Sequence, residues 1–240
     1  MSEQTEILRH IVHANRILAH QGVVDAYGHI SMRHPDKPDR FLMARSRSPE
    51  LVTVPDILEY GLDGEPINAG DTPVYLERYI HAGVYEARPD VHSVVHSHAD
   101  ELIPFTVTGV KLRPMFHTAA RLGHDIPVWD IRTNFGDSNL LVINIDQGRD
   151  LAKTLGDNRV ALMRGHGNVV AMPHVQAAVT TAIQAQRNAR LQMAAMQMGE
   201  ITFLSEGEID IAGDIVAKDR SVGHDRAWEY YVRRAGCEDV

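Results

Sequence analysis

Two histidines two residues apart, His96 and His98 in the run VVHSHAD, are the residues of this chain best placed for chemistry. On a strand, alternate side chains leave the same face, so both imidazoles project to one side at a spacing that a single metal ion can bridge. His-X-His pairs also occur as ordinary surface or core residues, so a third ring is needed. His166 supplies it between Gly165 and Gly167, in RVALMRGHGNVVAM, where the glycines let the backbone turn tightly and expose the imidazole. Three neutral imidazoles leave one divalent ion per subunit (Mn²⁺, Zn²⁺ or Co²⁺) with an open position, the arrangement that catalysis requires. A structural zinc site is excluded by the absence of clustered cysteines, since Cys237 stands alone.

The elements that must hold these rings follow from periodicity. Apolar residues at helical spacing predict a first helix from Thr5 to about Gln21, ended by Gly22. AYGHISMRH reads as a strand and RFLMAR as its hairpin partner across HPDKPD; SRSPELVTVP follows as an irregular loop. A second helix is expected from about Val74 to Ala87, then SVVHSH as a buried strand. ADELIPFTV suggests a short helix, IDQGRDLAKTLGD a longer one, and RVALMRGHGNVVAM two strands about a Gly-His-Gly turn. His174 to Met198 is the longest helical pattern, and RAWEYYVRRAG suggests a final helix. Alternating helices and strands, with no repeat and no linker, give one layered α/β domain over residues 1–240.

Composition narrows the function classes. The 240 residues carry a formal charge of -8, so there is no basic footprint for nucleic acid or an anionic membrane surface. The chain has no run near the ~20 apolar residues that cross a bilayer, and its start, MSEQTEILRH, does not resemble a leader. A cytoplasmic enzyme acting on a small molecule is expected. Fourteen histidines are the one oddity of composition. Of these, His92, His124 and His174 read as structural or surface residues.

The segments YGHISMR, LERYIHAGVYEARPDVHSVVHSHA and MRGHGNVVAM, in this order and spacing, resemble the class II aldolase/adducin family from about Ile7 to Gln197. The resemblance implies a three-layer α/β fold, with a central, mainly antiparallel sheet flanked by helices, and a homotetramer with sites at subunit boundaries. It also implies that His96, His98 and His166 bind the metal. Glu77, nineteen residues before His96, would act as catalytic acid/base or as a replaceable fourth ligand. Taken alone, Glu77 also fits a solvated residue paired with Arg78 or Arg88.

The sequence departs from the sugar-phosphate aldolases of that family where they hold phosphate. Their Gly-Asn-X-Ser turn is Gly28-His29-Ile30-Ser31 here, their Thr-Gly loop aligns with Arg45-Ser46, and their Ser-Ser pair is Tyr75-Leu76. Losing several donors at once from a dianion site costs well over ~1 kcal/mol for each buried one. Thr118 stands where fuculose-type aldolases carry an acid tyrosine. In exchange the chain has Arg45, Ser46, Arg47, Ser48, His29 and His117, a set suited to carboxylates, although ARSRS alone also reads as a basic solvated loop. One tyrosine of the C-terminal segment, Tyr231, is a further candidate for the site; Trp228, Tyr230 and Tyr231 equally fit the core face of the last helix.

GHISMRHP, SRSPELV and YLERYIHA resemble the branch of the family that decarboxylates dihydroxyphthalates and a hydroxymethylpyridine dicarboxylate. The expected substrate is therefore a hydroxylated aromatic or pyridine dicarboxylate, chelated through hydroxyl and carboxylate, with the ion accepting the charge left by carbon dioxide. Two alternatives stay open: an aldolase of unphosphorylated hydroxy or keto acids, and a non-catalytic adducin-like binding module.

Overall fold

The computed structural model describes residues 3–218 and 222–240; Met1, Ser2 and residues 219–221 of the expected domain lie outside them. Its centre is a seven-stranded sheet of order β3-β2-β1-β4-β7-β6-β5. The strands are β1 (His29–Arg33), β2 (Arg40–Ala44), β3 (Ile57–Gly61), β4 (Ser93–Ser97), β5 (Val128–Trp129), β6 (Val160–Met163) and β7 (Gly167–Met172). Neighbours run antiparallel except β5 and β6, which are parallel. The helices are α1 (Glu3–His20), α2 (Arg78–Ala87), α3 (Ile103–Val107), α4 (Arg132–Phe135), α5 (Ile145–Leu155), α6 (Val175–Met198), α7 (Glu206–Lys218) and α8 (Val222–Arg234).

The strand period of two divides the core. Along β4, Val94 and Val95 enter opposite clusters, as do Val169 and Val170 on β7. One cluster is shared with α1 and α6 through Ile17, Leu18, Val179 and Ala182. The other is shared with α2 and α5 through Ile80, Val84 and Leu151. Helices thus cover both faces of the sheet in three layers, as expected. Gly83 and Gly148 let α2 and α5 approach until a Cβ on either would strike the other helix's backbone. At the end of β1, the buried Arg33 guanidinium donates to the carbonyls of Tyr85, Arg88 and Val91, fixing the C-terminus of α2 against the sheet.

The structure differs from expectation at one helix boundary and in several elements. The helix expected from Val74 begins at Arg78, because the chain from Pro73 is tied to the preceding loop: Ser46 N–H donates to the Pro73 carbonyl at 2.8 Å, and the Tyr75 hydroxyl donates to the Arg47 carbonyl. The stretch after SRSPELVTVP holds the unforeseen edge strand β3, which buries fully only Tyr60 and so lacks an alternating signal. Helix α7 and strand β5 were not foreseen either. No described helix is long and apolar enough to cross a membrane.

Candidate metal centre

The register of β4 against β7 pairs His96 with Val169 and Ser97 with Asn168. His166 lies in the turn between β6 and β7, where Gly165 takes a φ of 64° that a β-carbon would strain. Gly167 passes so close to β4 that any Cβ there would collide with the Ser97 carbonyl. Thr106 Oγ1, from α3, accepts the Gly165 N–H at 3.0 Å and holds the turn down. The Gly-His-Gly sequence is thus what brings His166 onto the end of β4. His98 lies one residue beyond that strand, and its Nε2 is 2.9 Å from Nε2 of His96 and 3.1 Å from Nε2 of His166.

Glu77 closes the group. It forms the N-cap of α2 rather than a position within the helix, and its Oε2 lies 3.5 Å from His96 Nε2 and 3.4 Å from His166 Nε2. Its Oε1 accepts the Val142 N–H at 3.1 Å. The four ligand atoms all lie within 4.8 Å of one another. His96 Nδ1 is 3.0 Å from the Asn168 carbonyl, which can only accept, so Nδ1 carries the hydrogen and Nε2 presents its lone pair to the group. A buried convergence of ring nitrogens on one carboxylate oxygen is a donor set that a divalent cation satisfies, and the residues fit one.

Electrostatics agree with that donor set. Burial, with His96 and His166 adjacent, brings the His98 imidazole down to about 3, so this ring stays neutral. Burial alone would push the Glu77 carboxyl up, but His96 and His166 outweigh it and hold Glu77 below the usual carboxylate range. Glu77 is therefore an anion in the resting site, suited to ligation or proton acceptance.

Beside the cluster is a cavity of about 410 Å³, lined by His29, Ser46, Arg47, Ser48, Glu77 and His98. Its apolar side is formed by Tyr27, Val74, Leu76 and Leu141. Four of the five expected carboxylate-binding and imidazole positions in the N-terminal third are therefore here, and Arg45 is not. Arg45 turns to Asp56, donating from Nε at 2.6 Å, and Arg47 also reaches that carboxylate at 3.3 Å. Burial would raise Asp56, but hydrogen bonds from Thr53 and Arg45, with Arg47 nearby, bring it down to about 2. One of the two cations expected for substrate is therefore spent on the protein's own carboxylate. Two further candidates lie elsewhere within the subunit. His117 is exposed at the start of a 3₁₀ turn, and Tyr231 packs on the α1/α6 core and lines a separate cavity with Gln184 and Arg187. Both follow from local packing: Thr118 is anchored to Gln184 on α6, and α8 lies against α1 and α6.

His29 is buried, with its Nδ1 2.7 Å from Nε2 of His81, a residue that the sequence reading did not assign. Burial first, then His81 and His96, lower His29 well below its ordinary value; burial brings His81 down to about 3. His81 stands four residues after Glu77, one helical turn away, and that spacing is the signal that would have found it. Asp56 had a signal too, in the Thr53-Val-Pro-Asp56 capping pattern. Of the other histidines, His124 pairs with Asp210 and His174 caps α6.

Residues 9–193 match the model of the Class II Aldolase and Adducin N-terminal domain. Decarboxylase tropJ of Talaromyces stipitatus is 34% identical over 246 residues, covering 93% of this chain and 90% of the relative. The 3,4-dihydroxyphthalate decarboxylase of Arthrobacter keyseri is 29% identical over 201 residues, covering 78% of this chain and 77% of its own. Among solved structures, an aldolase II superfamily protein from Pseudomonas syringae superposes with a TM-score of 0.81 at 21% identity, covering 100% of this chain and 96% of that one.

Proposed function

The chain belongs to the class II aldolase and adducin family, and from that premise we propose that it is a divalent-metal-dependent decarboxylase of a hydroxylated aromatic or pyridine dicarboxylate. The observation that carries this reading is the composition of the cavity. One wall is formed by His98 and Glu77, the members of the His96-His98-His166-Glu77 cluster that reach the cavity, another is the Ser46-Arg47-Ser48 loop with His29, and between them lie Tyr27, Val74, Leu76 and Leu141. A flat, partly apolar ring with an anionic group at each end suits such a space. A sugar phosphate would set hydroxyl groups against the apolar side and leave them without partners. The named activities of the tropJ and dihydroxyphthalate relatives support decarboxylation.

His96, His98 and His166, with Glu77 as a fourth group, would hold Mn²⁺, Zn²⁺ or Co²⁺. When bound, the ion supplies a Lewis acid for the electrons of the broken carbon–carbon bond. Arg47 matches a substrate carboxylate with its planar fork, and the Ser46 and Ser48 hydroxyls donate beside it. Tyr27 and Leu76 flank the mouth, where they exclude water from a bound ring. Glu77 is pinned through Oε1 by the Val142 N–H, which leaves Oε2 to hold and deliver a proton. A homotetramer in the cytoplasm completes the reading. The deciding experiment is a carbon dioxide release screen of hydroxylated phthalates and pyridine dicarboxylates, run beside sugar phosphates and hydroxy acids. Release from the aromatic acids is expected; cleavage of aldol substrates alone would overturn the assignment.

A further inference from the structure

Behind His29 runs a file of buried hydrogen bonds that never reaches the cavity wall elsewhere. His29 Nδ1 lies 2.7 Å from His81 Nε2, His81 Nδ1 lies 2.6 Å from Ser31 Oγ, and Ser31 Oγ lies 2.8 Å from the Tyr85 hydroxyl. His81 and Ser31 are completely buried and Tyr85 nearly so. None of the three lines the cavity.

The direction of the file is set at its inner end. Among the described residues the buried Tyr85 hydroxyl has Ser31 Oγ as its one hydrogen-bond partner, so the phenol hydrogen has Ser31 Oγ as its acceptor. Ser31 then gives its hydrogen to Nδ1 of His81. With Nδ1 accepting, a neutral His81 carries its hydrogen on Nε2 and donates to Nδ1 of His29. His29, accepting there, carries its own hydrogen on Nε2. Running every bond the other way would strand the phenol hydrogen in the core without an acceptor, a bias of roughly tenfold or more against that arrangement. His29 Nδ1 and His81 Nε2 face each other at 2.7 Å, with room for one hydrogen between them, so the two rings cannot both be charged. Among the described residues, Nε2 of His29 has no hydrogen-bond partner, and His29 lines the cavity.

We propose that His81 is a positioning residue: with Ser31 and Tyr85 behind it, it locks His29 as a neutral Nε2–H donor that holds an anionic oxygen of the substrate. This rests on the reading of the cavity as a carboxylate site and sharpens it. His29 gives a hydrogen bond and takes no proton from substrate, which leaves proton transfer to Glu77. It also accounts for an imidazole at a position where the sugar-phosphate aldolases carry an amide. Either group offers an N–H, but only the ring has a second nitrogen through which the core can set its polarity.

The direct test is a long-range proton–nitrogen NMR spectrum of the zinc-loaded protein labelled with ¹⁵N-histidine. The expected result is an Nε2–H tautomer for both His29 and His81; a His29 protonated on Nδ1 would overturn the proposal. A second measurement uses phthalate as the probe. His81→Gln keeps an N–H facing His29 and is expected to bind phthalate within about threefold of the wild type. His81→Leu is expected to lose roughly tenfold or more in affinity, with zinc content unchanged. Equal affinity in the two variants would contradict the positioning role, and if the leucine variant does not fold, the wild-type spectrum decides. An Nε2–H tautomer in a protein that releases carbon dioxide from no aromatic acid would sink the functional reading while supporting this assignment.

Discussion

On one side of the cavity, His96, His98 and His166 converge behind a wall to which His98 contributes, because two paired strands and a glycine turn hold them there. On the other, Ser46, Arg47 and Ser48 sit on a loop whose shape depends on the buried carboxylate of Asp56. The first wall is specified by backbone, and its side chains are left with lone pairs that nothing else satisfies. The second is specified by side-chain ion pairs, and part of its charge is used up in making them. A motif on a strand therefore transmits its chemistry to the site almost intact. A charged loop transmits only what its internal partners leave over.

Substitutions can break or sharpen this contrast. The largest effect is expected at the rigid wall, where His98→Ala removes a ligand that no neighbour replaces. Bound metal by elemental analysis should vanish, and turnover should fall by about 10³-fold or more. Glu77→Gln comes next. It should keep the metal, because three rings remain, but lose about 10² to 10⁴ in kcat through the missing proton carrier. Turnover close to wild type would return Glu77 to a purely structural role. On the loop wall, Arg47→Ala should raise KM by roughly tenfold with a smaller change in kcat, whereas Arg45→Ala should leave KM within about threefold. Equal KM effects would erase the distinction between the two arginines.

The smallest effect concerns stability. The folded Asp56 carboxyl is lowered from its ordinary 3.8 to about 2, so its contribution is fully present above the unfolded value. It is lost as the pH falls through the folded one. Asp56→Asn should thus cost about 2 kcal/mol at neutral pH. In denaturant titrations the gap between wild type and variant should close between pH 4 and pH 2. A gap independent of pH would mean that Asp56 does not carry this load.

The histidine cluster was partly legible because its geometry follows from two regular rules, the alternation of a strand and the freedom of glycine. Neither rule depends on distant partners, so His96 and His98 could be placed on one face from spacing, whereas His166 joins them through the pairing of β4 with β7 and needed the family resemblance. The layered α/β order of helices and strands was legible for the same reason. Glu77 needed the family resemblance, since its position at a helix N-cap depends on Pro73, Tyr75 and the Arg47 carbonyl. Arg45 looked available because the Thr53-Val-Pro-Asp56 capping pattern marks Asp56 as a cap but does not say that its other oxygen faces Arg45, eleven residues earlier. The spacing from Glu77 puts His81 on the side of α2 that faces the site, but its role shows only when Ser31 and Tyr85 are seen behind it. Tyr231 and His117 were expected at the cluster, but within one subunit they belong to other surroundings.

Decarboxylation is expected to depend on an ion held by the His96-His98-His166 cluster. The most direct test is carbon dioxide release from a hydroxylated phthalate by the purified protein, measured before chelation, after chelation, and after adding back a divalent ion. Release should disappear with the metal and return with about one ion per subunit. Release that persists after the metal has been stripped would contradict that dependence.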